Sequence, residues 1–154
     1  MGTISLQFVE GTGVGSAMIK WFGHGKFSHV DCVLPDGSLL GARSDVIQGV
    51  PAGVQIRPAG YMTCPVERVD IPCTPKQEQM FYSYGRSQIG RKYNQLGIVA
   101  FFFSTGWTNE EERFCSEFAT MCLQAAGMLG QLSEPPNKID PDSLRLILSA
   151  VWGK

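Results

Sequence analysis

The run KFSHVDCVLPDGSLLGARS, residues 26–44, limits the fold more than any other part of the chain. Two strand-like segments, residues 27–34 and 38–43, flank Asp36-Gly37, and Asp-Gly between apolar runs is a strong hairpin signal. A hairpin makes the local sheet antiparallel. Successive side chains of a strand point to opposite faces, so His29 and Asp31 share one face while Val30 and Cys32 share the other. Cys32 then points away from His29, toward a core. The turn leaves two registers open. A two-residue Asp36-Gly37 turn puts Ser44 opposite His29; a Pro35-Asp36-Gly37 loop with a bulge puts Asp31 opposite Gly41.

The second constraint is FCSEFATMCLQAAGM, residues 114–128. Phe118, Met121, Cys122 and Ala125 recur at three- and four-residue spacing, which predicts a helix with one apolar face, and Gly127 is a stop. Residues 104–112 are polar and are expected to form a loop, so Cys115 falls in the first helical turn. Unpaired N–H groups and the positive end of the helix dipole there favour a thiolate. The alternative is a buried structural cysteine, since free Cys is among the most buried residue types. His29 has a bland reading too, a histidine satisfied by backbone on a half-buried strand.

The remaining elements follow from the same periodicities. Residues 3–9, 53–58 and 63–71 read as strands. Thr74 opens a helix through Gln77, Met80, Phe81 and Tyr84 toward Ile89, and residues 90–94 (GRKYN) break it. Residues 96–103 are apolar all round and read as a buried helix; residues 132–138 form a proline-bearing loop. Asp140 is an N-cap with Pro141 at the first position of a last helix over 142–152.

The segment GTGVGS, between a strand and a short helix at 17–22, has the outline of a dinucleotide-binding turn, and Asp31 lies twenty residues after Gly11. Ser16 at the third glycine position and an acidic residue inside the next strand argue against it. A zinc site from His24, His29 and Cys32 lacks the paired spacing of known sites and needs a fourth ligand.

With 154 residues, 1–154 reads as a single domain with room for a core. The 13 basic and 14 acidic residues form no block, which excludes a nucleic-acid arm. The start, MGTISLQFVEG, shows neither a secretory pattern nor a myristoylation motif. The longest apolar run, 98–103, is too short to span a bilayer, so no integral membrane segment is expected. Five cysteines without paired spacing imply a reducing compartment rather than a disulfide framework.

FSHVDCVLPDG early, GRKYN in the middle and FCSEFATMCLQAAGM late give an order of histidine, tyrosine, cysteine over roughly residues 13–127. In this order and context the chain resembles the circularly permuted papain-fold hydrolases: the permuted NlpC-like cysteine peptidases and amidases, related to lecithin retinol acyltransferase. The resemblance implies an α+β fold with a small antiparallel sheet packed against helices. It implies that Cys115 is a nucleophile, His29 its base and later acid, and that the Cys115 N–H and the Tyr93 hydroxyl stabilise the oxyanion. It places a third polar residue, which orients the imidazole, on the strand after the histidine, near Gly41, which has no side chain. Asp31 is the substitute expected here, then Ser44, then Asp45. Side chains two apart on a strand stand about 7 Å apart, so contact between His29 and Asp31 needs a twist or a bridging water.

The resemblance implies a hydrolase or acyltransferase acting on a peptide, amide or acyl lipid through a thioacyl intermediate, with no cofactor. Without a secretory signal, a cytoplasmic or virus-associated setting is expected. The competing expectation is a non-catalytic module that binds a peptide or lipid in the same groove or joins an assembly.

Overall fold

The computed structural model describes residues 1–11, 25–43, 45–91, 110–133 and 136–153. Five strands form one sheet: β1 (Gly2–Glu10), β2 (Phe27–Val33), β3 (Leu39–Arg43), β4 (Gly53–Arg57) and β5 (Val66–Cys73). Their spatial order is β4-β3-β2-β1-β5, and every pairing is antiparallel. Three helices accompany the sheet among the described residues: α1 (Pro75–Ser87), α2 (Glu110–Ala125) and α3 (Pro141–Trp152), with a 3-10 turn at Pro136–Lys138. The architecture is therefore α+β. An antiparallel β1–β2 pair rules out the dinucleotide-binding unit, which needs a parallel crossover. GTGVGS beyond Gly11, the short helix at 17–22 and the apolar helix at 96–103 lie outside the described residues.

The hairpin register follows from its turn. Leu34 N donates to Ser38 O at 2.8 Å and Gly37 N donates to Leu34 O at 2.9 Å, which closes a three-residue Pro35-Asp36-Gly37 loop. Gly37 has φ 84°, a left-handed position that glycine takes at little cost. The ladder then pairs Cys32 with Leu40 and Val33 with Leu39. Continued by one step, it sets Asp31 opposite Gly41.

Alternation sorts the sheet into two faces. Ile4, Leu6 and Phe8 of β1, Val30 and Cys32 of β2, and Leu40 and Ala42 of β3 join one core with Phe81 of α1, Phe118, Cys122 and Leu123 of α2, and Leu144 and Leu148 of α3. Each large apolar side chain enclosed this way contributes about 1.5–3 kcal/mol. Val33 and Leu39, on the other face, form a smaller cluster with Tyr61, from the loop after β4.

Caps set the helix starts. Thr74 and Gln77 form a reciprocal capping box with Pro75 behind it, and the Asp140 carboxylate accepts from Ser143 N at 2.6 Å. The fifth strand starts at Val66, later than residue 63, because Pro65 precedes the ladder and instead offers its carbonyl to Glu10 N at 2.8 Å. At the other end of the site, Asp142 on α3 accepts from Lys26 N (2.9 Å) and Phe27 N (3.2 Å). Those bonds tie the entry of β2, two residues before His29, to a helix.

Candidate active site

His29 and Asp31 sit on the same face of a central strand and are both buried, at 4% and 1% exposure. Their side chains meet directly: His29 Nε2 lies 2.9 Å from Asp31 Oδ1, with no bridging water required. Tyr61 completes the group. Its hydroxyl donates to Asp31 Oδ2 at 2.8 Å and stands 3.2 Å from His29 Nε2. Both oxygens of Asp31 are thus engaged, and Nε2 is committed to the carboxylate.

Cys115 of α2 approaches the same imidazole and shares a hydrogen bond with it. Burial pushes the imidazole pKa down, but the Asp31 carboxylate and Cys115 together outweigh it and raise His29 to about 10. Burial likewise works against the Asp31 anion, yet His29, the Tyr61 hydroxyl and Arg43 hold its pKa below the ordinary carboxylate value. The site therefore supports a charged imidazole between two acidic partners across neutral pH.

Gly41 explains why the carboxylate comes from β2. A Cβ at position 41 would overlap Asp31 Oδ1 and lie 3.0 Å from its Cγ. The absent side chain is the space that Asp31 occupies. Arg57, only 1% exposed, braces this arrangement from β4: Nη1 donates to Gly41 O (3.2 Å), and the guanidinium carbon sits 5.8 Å from the Tyr61 ring centre.

Two expectations about the helix are corrected. The helix begins at Glu110, so Cys115 is its sixth residue rather than a first-turn residue. Residues 110–112 were expected in a loop, but three consecutive glutamates are good helix formers and are favoured at the positive end of the dipole. Only the first four N–H groups of a helix are unpaired, so the Cys115 N–H belongs to the helical ladder and is not a free oxyanion donor. The second correction follows: Cys115 stands beyond the unpaired N–H groups of the helix end, and the partner it meets is His29. Tyr93, Ser44 and His24 lie outside the described residues. Asp45 is drawn to Arg43 in a two-pronged pair (2.7 and 3.0 Å), so it is not the partner of His29.

The other cysteines separate by environment. Cys32 and Cys122 are fully buried and contact each other, and the Cys122 contact together with burial pushes the Cys32 thiol well up. That contact lies on the core face, which also separates Cys32 from the proposed zinc grouping. Glu117, two residues after Cys115, is 6% exposed, and burial lifts its carboxyl to about 7.

Tyr61 carried no signal in the sequence, and Arg57 only a weak one. Tyr61 falls in a turn with no periodicity, held by Tyr61 N to Pro58 O at 3.3 Å. A charged residue closing the short strand GVQIR was the only hint of Arg57. Comparison with family models, curated proteins and solved structures yields no match. Among the described residues no helix is long and apolar enough to cross a membrane.

Proposed function

We propose that the chain is a cysteine hydrolase or acyltransferase with a permuted papain-like fold, in which Cys115, His29 and Asp31 act on an amide, peptide or ester. The observation that carries this reading is a buried Asp31–His29–Cys115 cluster, with 2.9 Å between His29 Nε2 and Asp31 Oδ1 and the Cys115 side chain hydrogen-bonded to the same imidazole. An imidazole held against a thiol in this way is the pairing that activates a cysteine nucleophile. The thiolate sulfur attacks the substrate carbonyl carbon and forms a C–S bond. His29 then gives its proton to the leaving nitrogen or oxygen as the C–N or C–O bond breaks. Water, or an acceptor amine or alcohol, attacks the thioester with His29 as base, and the thiol leaves. Asp31 keeps the ring oriented throughout. Tyr93 remains the oxyanion donor assigned by the resemblance.

A non-catalytic module is the second reading, favoured by one observation: the Cys115 side chain is 0% exposed and His29 only 4%. Alkylation separates the two. Wild-type protein, His29→Gln and Cys115→Ser are treated with iodoacetamide at pH 6, and the Cys115 peptide is followed by mass spectrometry. A catalytic site alkylates Cys115 at least about tenfold faster in the wild type than in His29→Gln. Equal, slow labelling in both proteins sinks the enzymatic reading, as does hydrolysis of an activated thioester that survives Cys115→Ser.

A further inference from the structure

We propose that Tyr61 is a positioning residue for this site: its hydroxyl locks the Asp31 carboxylate and thereby fixes which nitrogen of His29 faces Cys115. The inference rests on the cysteine-hydrolase reading, and it names a residue that neither the sequence pattern nor the resemblance supplies.

Three side chains form a closed triangle. Tyr61 Oη lies 2.8 Å from Asp31 Oδ2 and 3.2 Å from His29 Nε2, and His29 Nε2 lies 2.9 Å from Asp31 Oδ1. The direction of each bond follows from chemistry. An ionised carboxylate only accepts, so the phenol proton must point at Oδ2. The lone pairs of the phenol oxygen then face Nε2, which must carry its proton. Nε2–H is held between Asp31 Oδ1 and Tyr61 Oη, and the ring cannot turn over without breaking both contacts. Nδ1 is left for the thiol.

The phenol is suited to this part. Burial, followed by the nearby Asp31 anion, raises its pKa, so it stays protonated and remains a donor. It is 6% exposed and packs with Val33 and Leu39. Arg43 and Arg57 place their guanidinium carbons 5.9 and 5.8 Å from its ring centre. Among the described residues, the charged groups that bear on Asp31 and Tyr61 are therefore His29 on β2, Arg43 on β3 with Asp45 beyond it, and Arg57 on β4, with Cys115 of α2 acting through His29. Of these groups, Tyr61 alone touches both Asp31 and His29 with a neutral donor. A side chain that only filled space would not need its hydroxyl there.

The test is the pH profile of Cys115 alkylation by iodoacetamide in the full chain, which needs no substrate. Tyr61→Phe keeps the ring and removes the donor. Asp31 then protonates at higher pH and releases the imidazolium sooner, so the acid limb of the profile moves up by about one pH unit. Replacing Tyr61 by 3-fluorotyrosine leaves shape nearly unchanged and makes the phenol a stronger donor, so the limb moves the opposite way; this second variant serves if Tyr61→Phe does not fold. Opposite shifts support the inference. An unmoved limb in a folded variant, with only a lower melting temperature, overturns it and leaves Tyr61 a packing residue. A wild-type profile without any dependence on His29 would instead overturn the hydrolase reading itself.

Discussion

The Asp31 carboxylate occupies the volume that a side chain at Gly41 would fill, with Oδ1 overlapping the Cβ position and Cγ 3.0 Å from it. Facing positions of two antiparallel strands compete for the same space over the imidazole. Here the carboxylate is on β2, in contact with His29, and the facing position on β3 carries no side chain. A substitution at either position acts on both.

Gly41→Ala is therefore expected to damage activity more than a surface change of one methyl. The methyl pushes the carboxylate off His29, with a stability cost of about 1–3 kcal/mol for overpacking. Hydrolysis of an activated ester should fall about 10²-fold. Thermal denaturation and steady-state rates on the same preparation check this. A variant with full activity would show that Asp31 does not need this space.

Asp31→Asn keeps the shape but removes the charge that holds the imidazolium. The expected loss in rate is about 10²–10⁴-fold, with the pH profile displaced because the imidazole titrates at lower pH without its anion. Asp45→Asn should leave the rate within about a factor of three, since its carboxylate is bound to Arg43 and losing a partly exposed pair costs little. Equal damage from both variants would mean that net charge near the site, and not contact with His29, is what matters.

Cys32→Ser and Cys122→Ser each place a hydroxyl in the apolar core, where both sulfurs are fully buried. Each should lower stability by about 1–3 kcal/mol in urea denaturation while the Cys115 alkylation rate stays unchanged. Loss of alkylation with intact stability would reassign the nucleophile.

Glu117 makes stability depend on pH. Its carboxyl is lifted by burial from 4.5 to about 7 in the folded chain. The folded state thus binds the proton more tightly than the unfolded one. The stability this supplies is present in full below pH 4.5 and is lost as pH rises through about 7. The loss is about 2 kcal/mol, after allowance for the part of the group that solvent still screens. Glu117→Gln should flatten the curve of melting temperature against pH between 5 and 8. Parallel curves for the two proteins would show that the carboxylate finds a partner when ionised.

Much of the frame was legible in the residues. Asp36-Gly37 between apolar runs specified a hairpin, strand alternation put His29 with Asp31 and Cys32 with the core, and Thr74 and Asp140 marked helix starts. These are consequences of short-range dihedral preferences and of a two- or 3.6-residue period, which a chain carries in its order. The choice between Ser44 and Asp31 was not legible, because both registers satisfy the same turn signal. The Leu34–Ser38 hydrogen bond that closes a three-residue loop decided it, together with the room left by Gly41. The glutamates before Cys115 read as polar loop, yet they join the helix and move the thiol away from its free N–H groups. Tyr61 was beyond any reading of the chain. It meets Asp31 across 30 positions of sequence, and that distance is set by how the loop after β4 folds back over the sheet. Local order determines which residues share a strand face; only tertiary packing determines which side chain from elsewhere arrives at 2.8 Å, because a few tenths of an ångström there depend on every register and packing distance between them.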